Sequence, residues 1–186
     1  MRIIGGNFKG KKISIPSDIK TRPLRDMVKE SIFNLIQHSN KINFNLQNSI
    51  ILDLFSGTGS FGLECISRGS KYVVFIENYD QVLKILKNNV KNLKLINNYE
   101  ILENDCFKIF NFNKKFEDKF DLIFIDPPFK EKRLNLLIEK IKEKKILKKD
   151  GILVIHRHKK DKDEITKKIK ILDQRTYGIS KILMGI

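Results

Sequence analysis

Apolar positions along this chain follow two periods in turn. Runs of strand length fall at 50–54, 71–77, 99–103, 120–126 and 151–156. Segments with helical spacing lie among them, at 60–68, 79–93, 131–147 and 161–169. In the second of these, Val82, Leu83, Leu86, Val90 and Leu93 form one apolar stripe. In the third, Leu134, Leu137, Ile138 and Ile141 do the same. Leu122-Ile123-Phe124-Ile125 is apolar on both faces, as a parallel sheet covered by helices requires. An earlier helix is predicted from Leu24, Val28, Ile32, Leu35 and Ile36, with Thr21 as a cap and Pro23 in its first turn. Residues 39–48 are polar and rich in Asn, which fits a surface loop. The tail, 170–175 and 179–184, reads as two closing strands around Thr176-Tyr177-Gly178. The order predicts an α/β class, a doubly wound, mostly parallel sheet with right-handed crossovers.

Residues 1–15 break this alternation. Arg2-Ile3-Ile4 and Lys12-Ile13-Ser14-Ile15 flank a centre with Gly5, Gly6 and Gly10, which predicts a β-hairpin. A lone two-stranded hairpin is marginal in water, so it must lean on the main domain or on a partner. Arg2, Lys9, Lys11 and Lys12 lie here with no acidic residue among them. The expected organisation is a basic arm at 1–20 and a Rossmann-like domain at 21–186 that includes the first helix.

Charge sharpens the reading of that arm. The 186 residues carry 37 Lys plus Arg against 22 Asp plus Glu, a formal net charge of +15. Such an excess attracts polyanions, nucleic acid above all. Cys65 and Cys106 have neither metal spacing nor a disulfide framework, so reduced thiols are expected. No apolar run of about 18 residues and no signal-like stretch are present, so a cytoplasmic location and no membrane contact are expected. A basic monomer is the expected state.

The chemistry concentrates at strand ends. In Ile50–Gly62, an apolar strand ends near Asp53, and the turn Phe55-Ser56-Gly57-Thr58-Gly59 leads into a helix. Glycines let a ligand approach the backbone, and the helix start offers free N–H groups. Gly57, Gly59 and Gly62 match the dinucleotide spacing, and Glu77 closes the next strand, beside Asn78, as an acceptor pair for ribose hydroxyls. A nicotinamide dehydrogenase is therefore one reading. Asp53 argues for another, because a fixed negative charge before the turn repels a pyrophosphate. It suits a cationic ligand such as S-adenosylmethionine, although an aspartate capping the turn is the plainer alternative. Phe55, Gly57, Thr58 and Gly59 complete the expected cofactor contacts. Asp105 follows the third strand and either accepts from an adenine amino group or caps the next turn. Cys106 beside it lends a backbone contact or fills a small buried space.

Asp126-Pro127-Pro128-Phe129 carries the sharpest signal. Two prolines fix the backbone and remove two N–H donors. The Asp126 carboxylate and the Pro127 carbonyl then make two acceptors for one –NH2 group. A base's exocyclic amine is a poor nucleophile while its lone pair is delocalised into the ring. Accepting both hydrogens frees that pair, and Phe129 offers a face to an extruded base. His38 ends a helix, where a cation is favoured. His156 and His158 flank Arg157 after the fifth strand and lack the further ligands a metal needs. They read either as a basic rim for RNA phosphate or as a solvated strand end.

These stretches resemble the RsmD-type methyltransferases, which modify the exocyclic N2 of a guanine in 16S ribosomal RNA. The similarity rests on residues 2–12, on Arg22–Asn34, on Leu52–Glu64, on Asp126–Phe129 and on Tyr177-Gly178, nearly the whole chain. It implies a seven-stranded sheet with an N-terminal hairpin, S-adenosyl-L-methionine as donor, and ribosomal RNA, within a small-subunit particle, as partner. Arg22 and Arg25 are expected to join the arm's Arg2, Lys9, Lys11 and Lys12 as RNA contacts. Leu24-Arg25 stands where the family more often has small hydroxylated residues, and His156-Arg157-His158 where an acidic residue is common. The expected activity is guanine-N2 methylation of small-subunit RNA. Alternatives are adenine-N6 methylation of RNA or DNA, a dehydrogenase, and a non-catalytic ribosome-assembly binder.

Overall fold

The computed structural model describes residues 1–16, 24–95, 97–108, 116–161 and 164–186, with the backbone alone at 164 and 166. The elements are α1 (Asp26–His38), β1 (Ile50–Leu54), α2 (Ser60–Ser67), β2 (Tyr72–Glu77), α3 (Asp80–Asn92), β3 (Tyr99–Glu103), β4 (Phe120–Ile125), α4 (Leu134–Glu143), β5 (Leu147–His158), β6 (Ile171–Tyr177) and β7 (Ser180–Gly185). The sheet has seven strands in the order β3-β2-β1-β4-β5-β7-β6. β1 to β5 pair in parallel, and β7 runs antiparallel between β5 and β6.

Strand alternation sends neighbouring residues to opposite faces. Ile51, Leu122, Phe124, Ile152 and Val154 join a core with Ile32 and Phe33 of α1, Phe61 of α2 and Leu86 of α3. Leu52, Ile123, Ile125, Leu153 and Ile155 join a second core with Leu137, Ile138 and Ile141 of α4. Both faces are covered, which is why the central strands are apolar apart from Asp53 in β1, Asp121 in β4 and the two ends of β5. The doubly wound expectation holds.

Several expected elements differ in extent, β5 among them, which runs Leu147–His158 against the expected 151–156. Arg2–Lys12 is a single antiparallel bridge, with a 3-10 turn at Gly6–Phe8 in place of longer strands. The amides of Ile4 and Gly5 explain this, because both donate to the buried Glu64 carboxylate on α2 at 2.8 Å. The expected helix at 131–147 stops at Glu143. Lys145 takes φ +47°, Ile146 donates to Ile141 O, and Leu147 opens β5. The expected helix at 161–169 is a 3-10 turn over Glu164–Lys167, anchored by buried Ile165 and Ile169; residues 162 and 163 lie outside the described residues. So do Thr21, Arg22 and Pro23, and the described part of the first helix begins at Asp26.

The arm packs on α2, every residue of which is buried. Ile3 and Ile13 enter the same core as α1 and α2. Gly6 passes so close to α2 that a Cβ there would sit 1.8 Å from Ser67 O. Lys29, fully buried, ties the arm to both helices. Its Nζ donates to Arg2 O at 2.6 Å and to Ser60 Oγ at 3.1 Å, and lies 3.7 Å from the Glu64 carboxylate. Burial lowers the Lys29 pKa, against the pull of Glu64 and Asp26.

Candidate active site

Strand order reverses between β1 and β4, and such switch points open a crevice at the carboxyl ends of the strands. A cleft of about 770 Å³ lies there, lined by the glycine turn, Asp53, Glu77, Asp105–Phe107 and Asp126–Glu131.

The turn after β1 is built on left-handed backbone. Phe55, Gly57 and Gly59 have φ of 57°, 55° and 80°. The glycines serve different ends. A Cβ on Gly59 would meet Leu86 Cδ1 at 2.4 Å, and one on Gly62 would meet Phe75 Cε1 at 2.3 Å. These two let α2 approach α3 and β2. A Cβ on Gly57 would have nothing nearer than Phe55 O at 4.0 Å. Gly57 therefore leaves room at the cleft rather than room for packing. Asn89 of α3 donates to Thr58 O at 3.0 Å and to Ser14 O at 3.1 Å, so the arm is tied to the turn.

Asp53 is buried, and its Oδ2 accepts from Gly62 N–H at 3.0 Å. It therefore caps α2 and also lines the cleft. Burial pushes its carboxyl well above the ordinary range; the Gly62 bond opposes this, while Asp126 and Glu77 add to it. A cation in the cleft would relieve that energy.

Glu77 reaches back to the turn. Its Oε2 accepts from Gly57 N–H at 2.8 Å, and its Oε1 from the amides of Asn78 and Tyr79, each at 2.9 Å. A carboxylate has about four acceptor positions, so three backbone bonds leave room for one more. Asn78 itself is exposed at the cleft. Asp105 accepts from Phe107 N–H through Oδ1 at 2.8 Å, the capping geometry. Cys106 is buried, accepts from Phe55 N–H at 3.3 Å, and has its thiol pKa pushed far up by burial.

Phe107 and Arg133 are among the lining residues that the sequence motifs did not mark. Phe107 meets Phe55 edge-on at 5.8 Å, and the Arg133 guanidinium lies 3.9 Å over the Phe107 ring. Arg133 also pairs with Glu131 at 2.7 Å, and that bond lowers the Glu131 pKa. Phe107 directly follows Asp105-Cys106 and was findable on that ground; Arg133 carried no local signal.

The Asp126–Phe129 loop leaves β4 beside β1, with Asp126 N–H directed at Leu54 O at 3.4 Å. Among the described residues the Pro127 carbonyl accepts no hydrogen bond. Pro128 O accepts from Glu131 N–H at 2.8 Å, which closes the loop. β5 supplies the rest. His156 Nδ1 lies 2.8 Å from Asp126 Oδ1. Arg157 donates to Pro128 O at 3.2 Å and to Glu131 O at 2.9 Å, and pairs with Asp161 at 3.1 Å. The basic-rim reading is thus corrected for His156 and Arg157, each 2% exposed. Their polar atoms are turned to the loop because β5 lies beside β4 in the sheet. His158 stays partly exposed and meets the Phe129 ring edge-on at 5.0 Å.

Lys9, Lys11, Lys12 and Arg25 are exposed, as is Arg2, which lies 3.9 Å from Asp26. Arg25 follows Leu24, a lining residue of the cleft. Arg22 lies outside the described residues. Among the described residues no group of His, Cys, Asp or Glu could hold a metal ion, and no helix is long and apolar enough to cross a membrane.

Comparison with known proteins adds a third line of observation. Residues 1–186 match the family model described as conserved hypothetical protein 95. Ribosomal RNA small subunit methyltransferase D of Haemophilus influenzae is 32% identical over 96% of this chain and 90% of its own length. The protein of the same name from Buchnera aphidicola subsp. Acyrthosiphon pisum is 33% identical over 85% of this chain and 78% of its own. Among solved structures, HI0767 of Haemophilus influenzae superposes with a TM-score of 0.78 at 27% identity, covering 99% of this chain and 96% of that one.

Proposed function

The chain belongs to the conserved hypothetical protein 95 family, that of the RsmD-type methyltransferases, and on that premise we propose that it methylates the exocyclic N2 amine of a guanine in 16S ribosomal RNA. The observation that carries the reading is the placement of Asp126-Pro127-Pro128-Phe129 across the strand-order switch from Asp53 and the Gly57 turn. An acidic, aromatic and glycine-lined cleft fits S-adenosyl-L-methionine. The space at Gly57 admits close backbone approach, and buried Asp53 favours a cation. Asp53, Phe55, Gly57, Thr58, Glu77, Asn78, Asp105 and Cys106 would hold the cofactor, with Gly59 shaping the turn behind them and Phe107 as a further aromatic wall. When bound, it supplies an electrophilic methyl group.

The chain's own residues do the rest by positioning. The Asp126 carboxylate and the Pro127 carbonyl accept the two amine hydrogens and turn the nitrogen lone pair outward. Phe129 gives the extruded base a face. The basic arm, with Lys9, Lys11 and Lys12 exposed, holds RNA phosphates near the cleft, joined by Arg2, Arg22 and Arg25. The substrate is RNA within a small-subunit particle in the cytoplasm, and the enzyme acts as a monomer.

The test is incubation with unmodified small-subunit particles and labelled cofactor, followed by mass analysis of nucleosides. N2-methylguanosine is expected. N6-methyladenosine would instead establish the adenine reading. Asp126→Ala should abolish transfer and retain S-adenosylhomocysteine binding; turnover at the wild-type rate would remove Asp126 from the mechanism.

A further inference from the structure

β5 contributes a side chain to the acceptor loop that no requirement of packing explains. His156 is 2% exposed, at a buried position where an apolar side chain would leave no nitrogen unpaired. Instead its Nδ1 lies 2.8 Å from Asp126 Oδ1, and its Nε2 is buried with no hydrogen-bond partner. Keeping a buried nitrogen unsatisfied is unfavourable, and such a group calls for a functional reason.

The geometry fixes the proton. A bare Nδ1 would face a carboxylate oxygen lone pair to lone pair. A proton on Nδ1 makes a hydrogen bond to Asp126. A proton on Nε2 would have no acceptor. We infer that His156, held as the Nδ1–H tautomer, is a positioning residue that engages Asp126 Oδ1 and leaves Oδ2 as the acceptor for the substrate amine.

Neighbouring strands make the contact rigid. Ile125 and Ile155 are register partners in the β4–β5 pair, so Asp126, the first residue past β4, stands beside His156, which is still within β5. On its other side His156 is paired in register with Ile182 of β7. The carboxylate torsion is broad and roughly two-fold when free, and one engaged oxygen selects a single orientation. Arg157, the next residue, holds the carbonyls of Pro128 and Glu131, so the loop backbone and the Asp126 side chain are fixed from the same strand end. Phe129 is held at the same point, edge-on to His156 at 5.9 Å.

This role rests on the proposed methyl transfer, and two measurements separate the two claims. Two-bond proton–nitrogen spectra of the free protein should show His156 protonated on Nδ1 and bare on Nε2. The opposite tautomer would overturn the inference, and no variant is needed to read it. Kinetics use two substitutions. His156→Leu fills similar space without a donor, and His156→Asn returns a donor near the Nδ1 position. For the Leu variant, kcat should fall by roughly tenfold to a hundredfold, as small misplacements of reacting groups do. Its KM for S-adenosylmethionine should stay near the wild-type value. The Asn variant should recover most of the lost kcat. A Leu variant with wild-type kcat, or an Asn variant as slow as Leu, would refute the role. Wild-type protein that transfers no methyl group to RNA would sink the functional reading instead, while the spectra would still decide the His156–Asp126 contact.

Discussion

Replacing Gly57 and Gly59 by alanine separately should split cofactor binding from stability. Both glycines take a left-handed backbone, φ 55° and 80°, which costs a residue with a Cβ about 1–2 kcal/mol. There the likeness ends. At Gly59 the new methyl would sit 2.4 Å from Leu86 Cδ1 and 3.4 Å from Phe75 Cε1, with Leu86 and Phe75 both fully buried. Overpacking of this kind adds about 1–3 kcal/mol, so Gly59→Ala should cost roughly 2–5 kcal/mol. That is a large share of a stability of about 5–15 kcal/mol. At Gly57 the nearest atom is Phe55 O at 4.0 Å, ordinary van der Waals distance, so Gly57→Ala should cost only the backbone share, about 1–2 kcal/mol. Its methyl, however, enters the space proposed for the cofactor. Urea unfolding of both variants gives the stabilities, with the slope of the transition expected to stay constant. Titration calorimetry with S-adenosylhomocysteine gives the affinities. Gly57→Ala should lose at least about tenfold in affinity, or 1.4 kcal/mol, while remaining the more stable variant. Equal stabilities would refute the packing assignment. Unchanged affinity in Gly57→Ala would refute the assignment of that space to the cofactor.

Other perturbations test the remaining parts. Asp53→Asn should stabilise the cofactor-free protein at neutral pH and weaken cofactor binding. Burial raises the Asp53 pKa above its ordinary 3.8, so its contribution to stability is full below 3.8 and is lost as pH rises through the raised value. The gain on substitution should therefore vanish in acid, which thermal melts across pH would show. Lys29→Met removes the donor to Arg2 O and Ser60 Oγ, while Glu64 keeps Arg68 and the arm amides; it should cost about 1–3 kcal/mol in urea unfolding, as a buried polar group left without its partner does. Neutralising Lys9, Lys11 and Lys12 together should leave cofactor affinity intact. It should flatten the salt dependence of RNA binding by roughly 0.7–0.9 in log–log slope per lost phosphate contact, measured by filter binding.

The sheet was legible because its strands announce themselves locally. Leu122–Ile125 is apolar on both faces, and only a strand covered from both sides suits it. The glycine turn and Asp126–Phe129 were legible for a similar reason, since glycine and proline restrict the backbone wherever they stand. Where the reading failed, the deciding contact lay far off in sequence. Ile4 and Gly5 donate to Glu64, 60 and 59 positions away, and this draws the arm onto α2 instead of into two longer strands. His156 reaches Asp126 across 30 positions, so a histidine after a strand read as surface. The end of α4 was hidden because Ile146 and Leu147 continue its apolar spacing, although both follow a reversal at Lys145.

The order of the central strands also sets a sequence of events in time. The parts of the cleft proposed for the cofactor come from β1, β2 and β3 and the loops after them, which follow one another along the chain. The acceptor loop comes from β4, and β4 meets β1 only by closing a long excursion: Ile50 N–H donates to Asp121 Oδ2 across 71 positions. Contacts of such separation are entropically costly to close and slow to form. A refolding chain can thus gather the donor half while its acceptor half is still missing. In refolding experiments, recovery of cofactor binding should run ahead of recovery of methyl transfer, and turnover is the observable that reports a finished molecule.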